Sequence, residues 1–125
     1  MIPPVTSANR LPLLGLERDN LRSCIRCGLC LSVCPTYQET MKEEESPRGR
    51  IAITSAFLDG HLAVTEDLIR HEYSCLLCEA CTDICPTGVQ MDRIMTSLRV
   101  EVQREVPRSW RETIFRKITF DDHRN

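Results

Sequence analysis

Every cysteine of this 125-residue chain falls in one of two copies of a single phrase. The first reads Cys24-x-x-Cys27-x-x-Cys30-x-x-x-Cys34-Pro35, the second Cys75-x-x-Cys78-x-x-Cys81-x-x-x-Cys85-Pro86. Eight thiolate donors at this spacing suit iron–sulfur chemistry, because a cubane presents four iron corners and each takes one sulfur. Three cysteines spaced three apart can wrap a short loop and one helical turn around three corners. In proteins with two such clusters the fourth ligand comes from the last cysteine of the other run. The pattern therefore predicts two [4Fe–4S] clusters. Cluster 1 takes Cys24, Cys27, Cys30 and Cys85, and cluster 2 takes Cys75, Cys78, Cys81 and Cys34.

Other uses of cysteine fit less well. Structural zinc is commonly held by two separated Cys-x-x-Cys pairs and requires neither the third cysteine nor the Cys-Pro step. A disulfide framework belongs to short secreted chains, and no secretory signal is visible. Pro3, Pro4 and Pro12 interrupt residues 1–16, which have no charged start and no long apolar stretch.

The two runs are related by a shift of 51 residues, which also carries Val33 to Ile84 and Pro35-Thr36 to Pro86-Thr87. This duplication predicts a pseudo-two-fold pair of sites. Pro35 and Pro86 are expected to stop the turn that delivers the fourth cysteine and to send the chain away from the cluster. Gly28 frees the first ligand loop for close approach. Leu29, Leu31 and Val33, with Leu76, Leu77 and Ile84, are expected to dry the cluster surroundings.

The elements that must hold these runs read as helices. Residues 1–16 form an N-terminal arm, extended over residues 1–15, and residues 17–106 form the dicluster domain. Residues 107–125 form an amphipathic C-terminal segment for docking or for entry to a further domain. Leu16 to Ser23 predicts a short helix, and the acidic stretch Tyr37 to Glu45 predicts a loop. Ser46 caps and Pro47 opens a helix running through Ile51, Ala52, Ser55, Ala56 and Leu58 to Asp59-Gly60. Thr65, with Glu66 and Asp67, starts another that runs through Leu68 and Ile69 to Tyr73. Met91, Ile94, Met95, Leu98 and Val102 recur at helical spacing, with the methionines as core rather than ligands. Trp110, Ile114, Phe115 and Ile118 form a last stripe opposite Arg108, Arg111, Arg116 and Lys117, suited to a partner or a membrane surface. The fold class is all-α, since the forty residues between Cys34 and Cys75 read as two helices rather than hairpins.

Composition sets the outer limits. Apolar residues make up 42% of the chain but aromatics only 5%, so metal binding should supply part of the folding free energy. The formal charge of −2 becomes roughly −6 once eight thiolates and two oxidised cubane cores are counted. Lys and Arg number 16 against 18 Asp and Glu and are scattered, which argues against nucleic acid. No apolar run reaches the ~18–20 residues of a membrane span. Thiolates available for iron imply a reducing cytoplasm. No glycine-rich nucleotide fingerprint or nucleophile motif occurs, so no independent catalytic site is expected. His61, His71 and His123, like Tyr37 and Tyr73, are assigned ordinary polar or packing roles.

With Cys24-Ile25-Arg26-Cys27-Gly28-Leu29-Cys30-Leu31-Ser32-Val33-Cys34-Pro35-Thr36-Tyr37, then Ser46-Pro47-Arg48-Gly49-Arg50-Ile51, then Cys85-Pro86-Thr87-Gly88-Val89, the chain resembles the iron–sulfur subunit of glycolate oxidase. It is also similar to iron–sulfur subunits of lactate-utilisation, anaerobic glycerol-3-phosphate dehydrogenase and heterodisulfide reductase systems. The resemblance covers roughly residues 17–105, and the Pro-Arg-Gly-Arg-Ile segment narrows it to this group. It implies a helical ferredoxin domain that accepts electrons from a flavoprotein 2-hydroxy-acid dehydrogenase subunit and passes them to a quinone or another acceptor. It also implies two further cysteine-rich domains, expected on a longer form of the chain or on a separate subunit. The expected location is the cytoplasm, with peripheral contact at the inner face of the membrane. Arg48 and Arg50 are expected either to raise the cluster potentials or to pair with Glu43–Glu45 at the helix start. An iron–sulfur sensor and a purely structural module are the readings of another class.

Overall fold

The structure, a computed structural model, describes residues 11–106. Residues 1–10 of the arm, the 107–125 segment with its Trp110, Ile114, Phe115 and Ile118 stripe, and His123 lie outside the described residues. Among the described residues there are helices and no strands, as the all-α reading requires. They are α1 (Pro12–Leu16), α2 (Arg18–Arg22), α3 (Pro35–Thr40), α4 (Pro47–Leu58), α5 (Glu66–Tyr73), α6 (Ala80–Ile84) and α7 (Met91–Glu105), with 3₁₀ turns at Leu29–Val33 and Glu43–Glu45.

The core is built on α7. Its predicted stripe of Met91, Ile94, Met95, Leu98 and Val102 is buried and meets Leu11 and Leu14, Ile51, Phe57 and Leu58 of α4, and Leu68 of α5. The methionines are core residues, as expected. Polar ties fix the N-terminal helices to α7, among them the pair of Arg93 with Glu17 between α1 and α2. The Leu13 N–H donates to the buried Glu101 carboxylate at 2.8 Å. The Asn20 side chain accepts from the Gln90 N–H at 2.9 Å and donates to the Gln90 carbonyl at 3.0 Å.

Three local expectations are corrected. Residues 12–16 are helical rather than an extended arm, because Pro12 suits the first turn and Leu11 and Leu14 pack on α7. The short helix foreseen over Leu16–Ser23 is narrower than expected: Leu16 ends α1 and, after Glu17, α2 spans Arg18–Arg22. The acidic loop foreseen over Tyr37–Glu45 contains most of α3 and the Glu43–Glu45 turn. Pro35 ends one turn and also opens α3, since a first-turn proline lacks only an N–H that would have had no partner. Pro86 behaves differently. It is followed by a turn through Gly88, at φ +72, before α7 begins.

Helices α4 and α5 start where their caps predict. The Ser46 hydroxyl accepts from the Gly49 N–H at 3.0 Å, and Thr65 accepts from the Leu68 N–H at 3.2 Å. Gly49 is required for another reason: a Cβ there would lie 1.9 Å from the Glu43 carbonyl oxygen. Helix propensity favours alanine by about 1 kcal/mol. The clash is with backbone, which cannot rotate away, so overpacking of about 3 kcal/mol should win. Gly49→Ala is expected to lower the thermal midpoint of the protein. A raised midpoint would mean that the Glu43–Glu45 turn yields freely.

The duplication is visible in the backbone. The turn Leu29–Val33 and helix α6 (Ala80–Ile84) are related by the same 51-residue shift and pack against each other. Arg26 and Leu77 share a left-handed φ of 58° and 56°, as do Gly28 and Glu79 at 85° and 62°.

Candidate metal centre

All eight cysteines are free thiols, and they line two neighbouring cavities. The first is bordered by Cys24, Cys27, Cys30 and Cys85, the second by Cys34, Cys75 and Cys78, and Cys81 stands between them and lines both. The cavities hold about 420 and 410 Å³ of empty space, open mouths included. In each, a thiol from one run enters the company of the other run. Cys85 arrives at the first cavity from the end of α6, and Cys34 arrives at the second from the end of the Leu29–Val33 turn.

The donor set fits a cluster better than an ion. A single tetrahedral zinc draws four sulfurs to about 2.3 Å from one point. Among the described residues, no three His, Cys, Asp or Glu side chains are gathered as a single ion needs. A cubane spreads its four thiolates over four separate irons. Cys27 and Cys78 are exposed at the cavity mouths, whereas Cys34 is buried.

The surroundings favour negative charge. Pro47, at the start of α4, and Met91, at the start of α7, each line both cavities. The positive ends of two helix dipoles therefore converge between the sites. The PRGRI segment sorts its two arginines, Arg48 lining the first cavity and Arg50 the second. Arg48 is part-exposed and bonds Glu43 through Nε at 2.5 Å and Nη2 at 3.2 Å. Its Nη1 would lie 2.8 Å from a Cβ on Gly28, so glycine there serves both the left-handed φ and the passage of this guanidinium.

Arg50 is only 1% exposed and every one of its nitrogens is engaged. Nε donates to the His71 carbonyl at 3.0 Å. Nη1 donates to the Glu45 carbonyl at 2.7 Å and to Thr36 Oγ1 at 3.1 Å, and it lies 3.9 Å from Cys34 Sγ. Nη2 donates to Glu45 Oε2 at 2.8 Å and to Ser74 Oγ at 2.7 Å. Glu45 also binds His71 Nδ1 at 2.5 Å and accepts from the Ser74 hydroxyl. Each arginine therefore pairs with a glutamate of the turn, as one of the two expectations has it, and each also lines a cysteine cavity.

The fourth cysteines share a hydroxyl partner. Thr36 Oγ1 lies 3.3 Å from Cys34 Sγ and Thr87 Oγ1 lies 3.4 Å from Cys85 Sγ. Neither threonine was foreseen as a site residue, although their repetition after Cys-Pro was the available signal. The Val89 N–H adds a bond to Cys85 Sγ at 3.4 Å. Burial opposes ionisation of Cys85, but these donors outweigh it and hold its pKa below the usual thiol value. Burial pushes the Cys30 thiol up and raises Cys81 to about 11, reinforced at Cys81 by thiols of both runs. Metal binding displaces the protons of such thiols.

The expected drying residues divide. Leu29, Leu76 and Leu77 line the cavities but remain solvent-exposed, whereas Leu31, Val33 and Ile84 line neither, and Ile84 is exposed. The buried lining comes instead from Ile51 on α4, Met91 on α7 and Val89 just before α7, because the ligand loops lie on the surface of the helical core. His71 plays the polar role expected of it. Tyr73 stacks under Arg99, whose guanidinium carbon is 5.0 Å from the ring centre.

Comparison with known proteins agrees with this geometry. Residues 20–89, more than half of the chain, match the 4Fe–4S dicluster domain family. The chain is 38% identical over 108 residues to the probable glycolate oxidase iron-sulfur subunit of Bacillus subtilis, covering 86% of this chain and 24% of that protein. It is 37% identical over 114 residues to the glycolate oxidase iron-sulfur subunit of Escherichia coli, covering 90% and 28%. It is 30% identical over 107 residues to lactate utilization protein B of Geobacillus thermodenitrificans, covering 81% and 21%. The chain thus spans about a quarter of the length of these curated relatives. No solved structure matches it. The chain belongs to the 4Fe–4S dicluster domain family, and its chemistry is that of an iron–sulfur protein.

Proposed function

We propose that this member of the dicluster family carries two [4Fe–4S] clusters and relays electrons for a multi-subunit oxidoreductase. Cluster 1 is held by Cys24, Cys27, Cys30 and Cys85, and cluster 2 by Cys75, Cys78, Cys81 and Cys34. One observation carries the assignment: each of two neighbouring cavities is bordered by three cysteines of one run and the last cysteine of the other, with Cys81 lining both. Bound clusters supply reversible one-electron storage. The chain's own residues hold the two stores side by side, with Cys81 on the wall between them. Arg48, Arg50 and the two helix N-termini offset their negative charge, which raises their potentials.

The electron donor is a flavoprotein 2-hydroxy-acid dehydrogenase subunit of glycolate or lactate type, and the acceptor is a quinone or another carrier. The names of the relatives support this choice over the glycerol-3-phosphate and heterodisulfide systems. The dicluster unit spans 17–106, with Leu11–Leu16 packed upon it. Among the described residues no helix is long and apolar enough to cross a membrane. We place the chain in the cytoplasm, in contact with the flavoprotein, with cysteine-rich domains and with the inner face of the membrane. The test is anaerobic mixing of the cluster-loaded chain with the dehydrogenase subunit. Glycolate or lactate should bleach the cluster absorbance only when the flavoprotein is present. No bleaching with either acid, while dithionite still reduces the clusters, would reject this donor.

A further inference from the structure

Glu72 on α5 is fully buried, and neither of its carboxyl oxygens has a hydrogen-bond partner. Helices α4 and α7 and the Glu43–Glu45 turn pack against α5, and each presents one charge to Glu72: Arg50, Arg99 and Glu45 respectively. On its own helix, His71 is engaged with Glu45. The two arginines that face Glu72 also hold ligand residues of the second cavity. Arg50 Nη1 lies 3.9 Å from Cys34 Sγ, and Arg99 Nη2 donates to the Cys75 carbonyl at 2.6 Å. Helices α4 and α7 leave Thr54 Oγ1 and Arg99 Nε buried without partners. These are donors with no task in the packed core, where buried polar groups are normally paired.

We propose that Glu72 is a proton site coupled to the second cluster: it takes one proton from solvent when one electron enters the site held by Cys34, Cys75, Cys78 and Cys81, and returns it when that electron leaves. The inference rests on the cluster assignment above. The electron comes from a flavin hydroquinone or, in the test, from dithionite. The proton makes the step charge-neutral inside the protein. No cysteine changes its ligation.

The physics has a definite sign. An unbonded ionised carboxylate in a dry site is unfavourable by several kcal/mol. Burial accordingly pushes Glu72 up to about 8, against the pull of Arg50 and Arg99. The extra electron on the second site raises it further. Below the oxidised-state value the carboxyl is protonated in both redox states, and the potential is flat with pH. Between the oxidised-state and reduced-state values, reduction draws in a proton and the potential falls as pH rises. Helix α5 is only eight residues long, so local opening lets water reach the site.

The experiment is a spin-resonance redox titration of the cluster-loaded protein from roughly pH 6 to 10. The cluster removed by Cys78→Ala should show a potential that is flat near neutrality and falls above pH 8, and the other cluster should stay flat. Glu72→Gln mimics the protonated acid and should abolish the slope while keeping the neutral-pH potential. Glu72→Met gives the same reading should the amide misfold. A flat wild-type profile, a slope on the other cluster, or a slope that survives both replacements would overturn the proposal. Failure to load two clusters would instead reject the cluster assignment itself.

Discussion

Replacing Cys34 with alanine is expected to abolish the same cluster signal as replacing Cys78, and Cys85→Ala the same signal as Cys27→Ala. Sequence proximity argues the other way, since Cys34 lies seven residues from Cys27 and forty-four from Cys78. The fold reverses that order by packing the turn Leu29–Val33 against α6, which carries each last cysteine to the opposite cavity. On the proposed ligation, each replacement removes one of four thiolates from one cubane and none from the other. The affected site should lose stable iron, and total iron should fall toward half. Spectra of the four variants after anaerobic reconstitution make the check. Pairing Cys34→Ala with Cys27→Ala would mean that each run closes its own cluster.

Arg50→Ala should be the most damaging replacement outside the cysteines. It removes a guanidinium that is 1% exposed and joins α4 to the Glu43–Glu45 turn, α5 and the second cavity. Breaking a buried ion pair from one side costs about 3–5 kcal/mol. That is a large share of the ~5–15 kcal/mol by which domains are stable. Glu45 adds a pH signature. Burial opposes its ionisation, but Ser74, His71 and the Arg50 charge outweigh burial and hold its pKa below the usual carboxylate range. Its contribution is therefore complete above the unfolded carboxylate pKa and disappears as pH falls through the lower folded value. Arg50→Ala should move acid unfolding to higher pH, and Arg50→Lys, which keeps charge but loses the fork, should fall between. Arg48→Ala, whose partner is part-exposed, should change stability little. Equal stability of Arg50→Ala and wild type across the acid range would show that the network is not structural.

The cysteine phrases made the site legible because cluster ligation imposes spacing directly on the sequence. The helix starts at Ser46-Pro47 and Thr65 were legible for a similar reason, since caps are local chemistry. The polar shell was not. Arg50 gathers Thr36, Glu45, His71 and Ser74 from four separate places in the chain, and no periodicity announces such a gathering. Pairing of Arg50 with the Glu43–Glu45 stretch was among the expectations, but only the fold shows Glu45 buried in that pair. The arm residues Leu11 and Leu14 were missed because their helix is short and draws its stability from α7. Gly49 stood in plain view, but its necessity depends on a carbonyl six residues earlier.

Iron and acid-labile sulfide counted per chain, on anaerobically reconstituted protein, meet the central assignment most directly. About eight of each, with two separable one-electron signals, is the result expected of two crossed cubanes. About four of each at full occupancy, or stoichiometric zinc in place of iron, would contradict it.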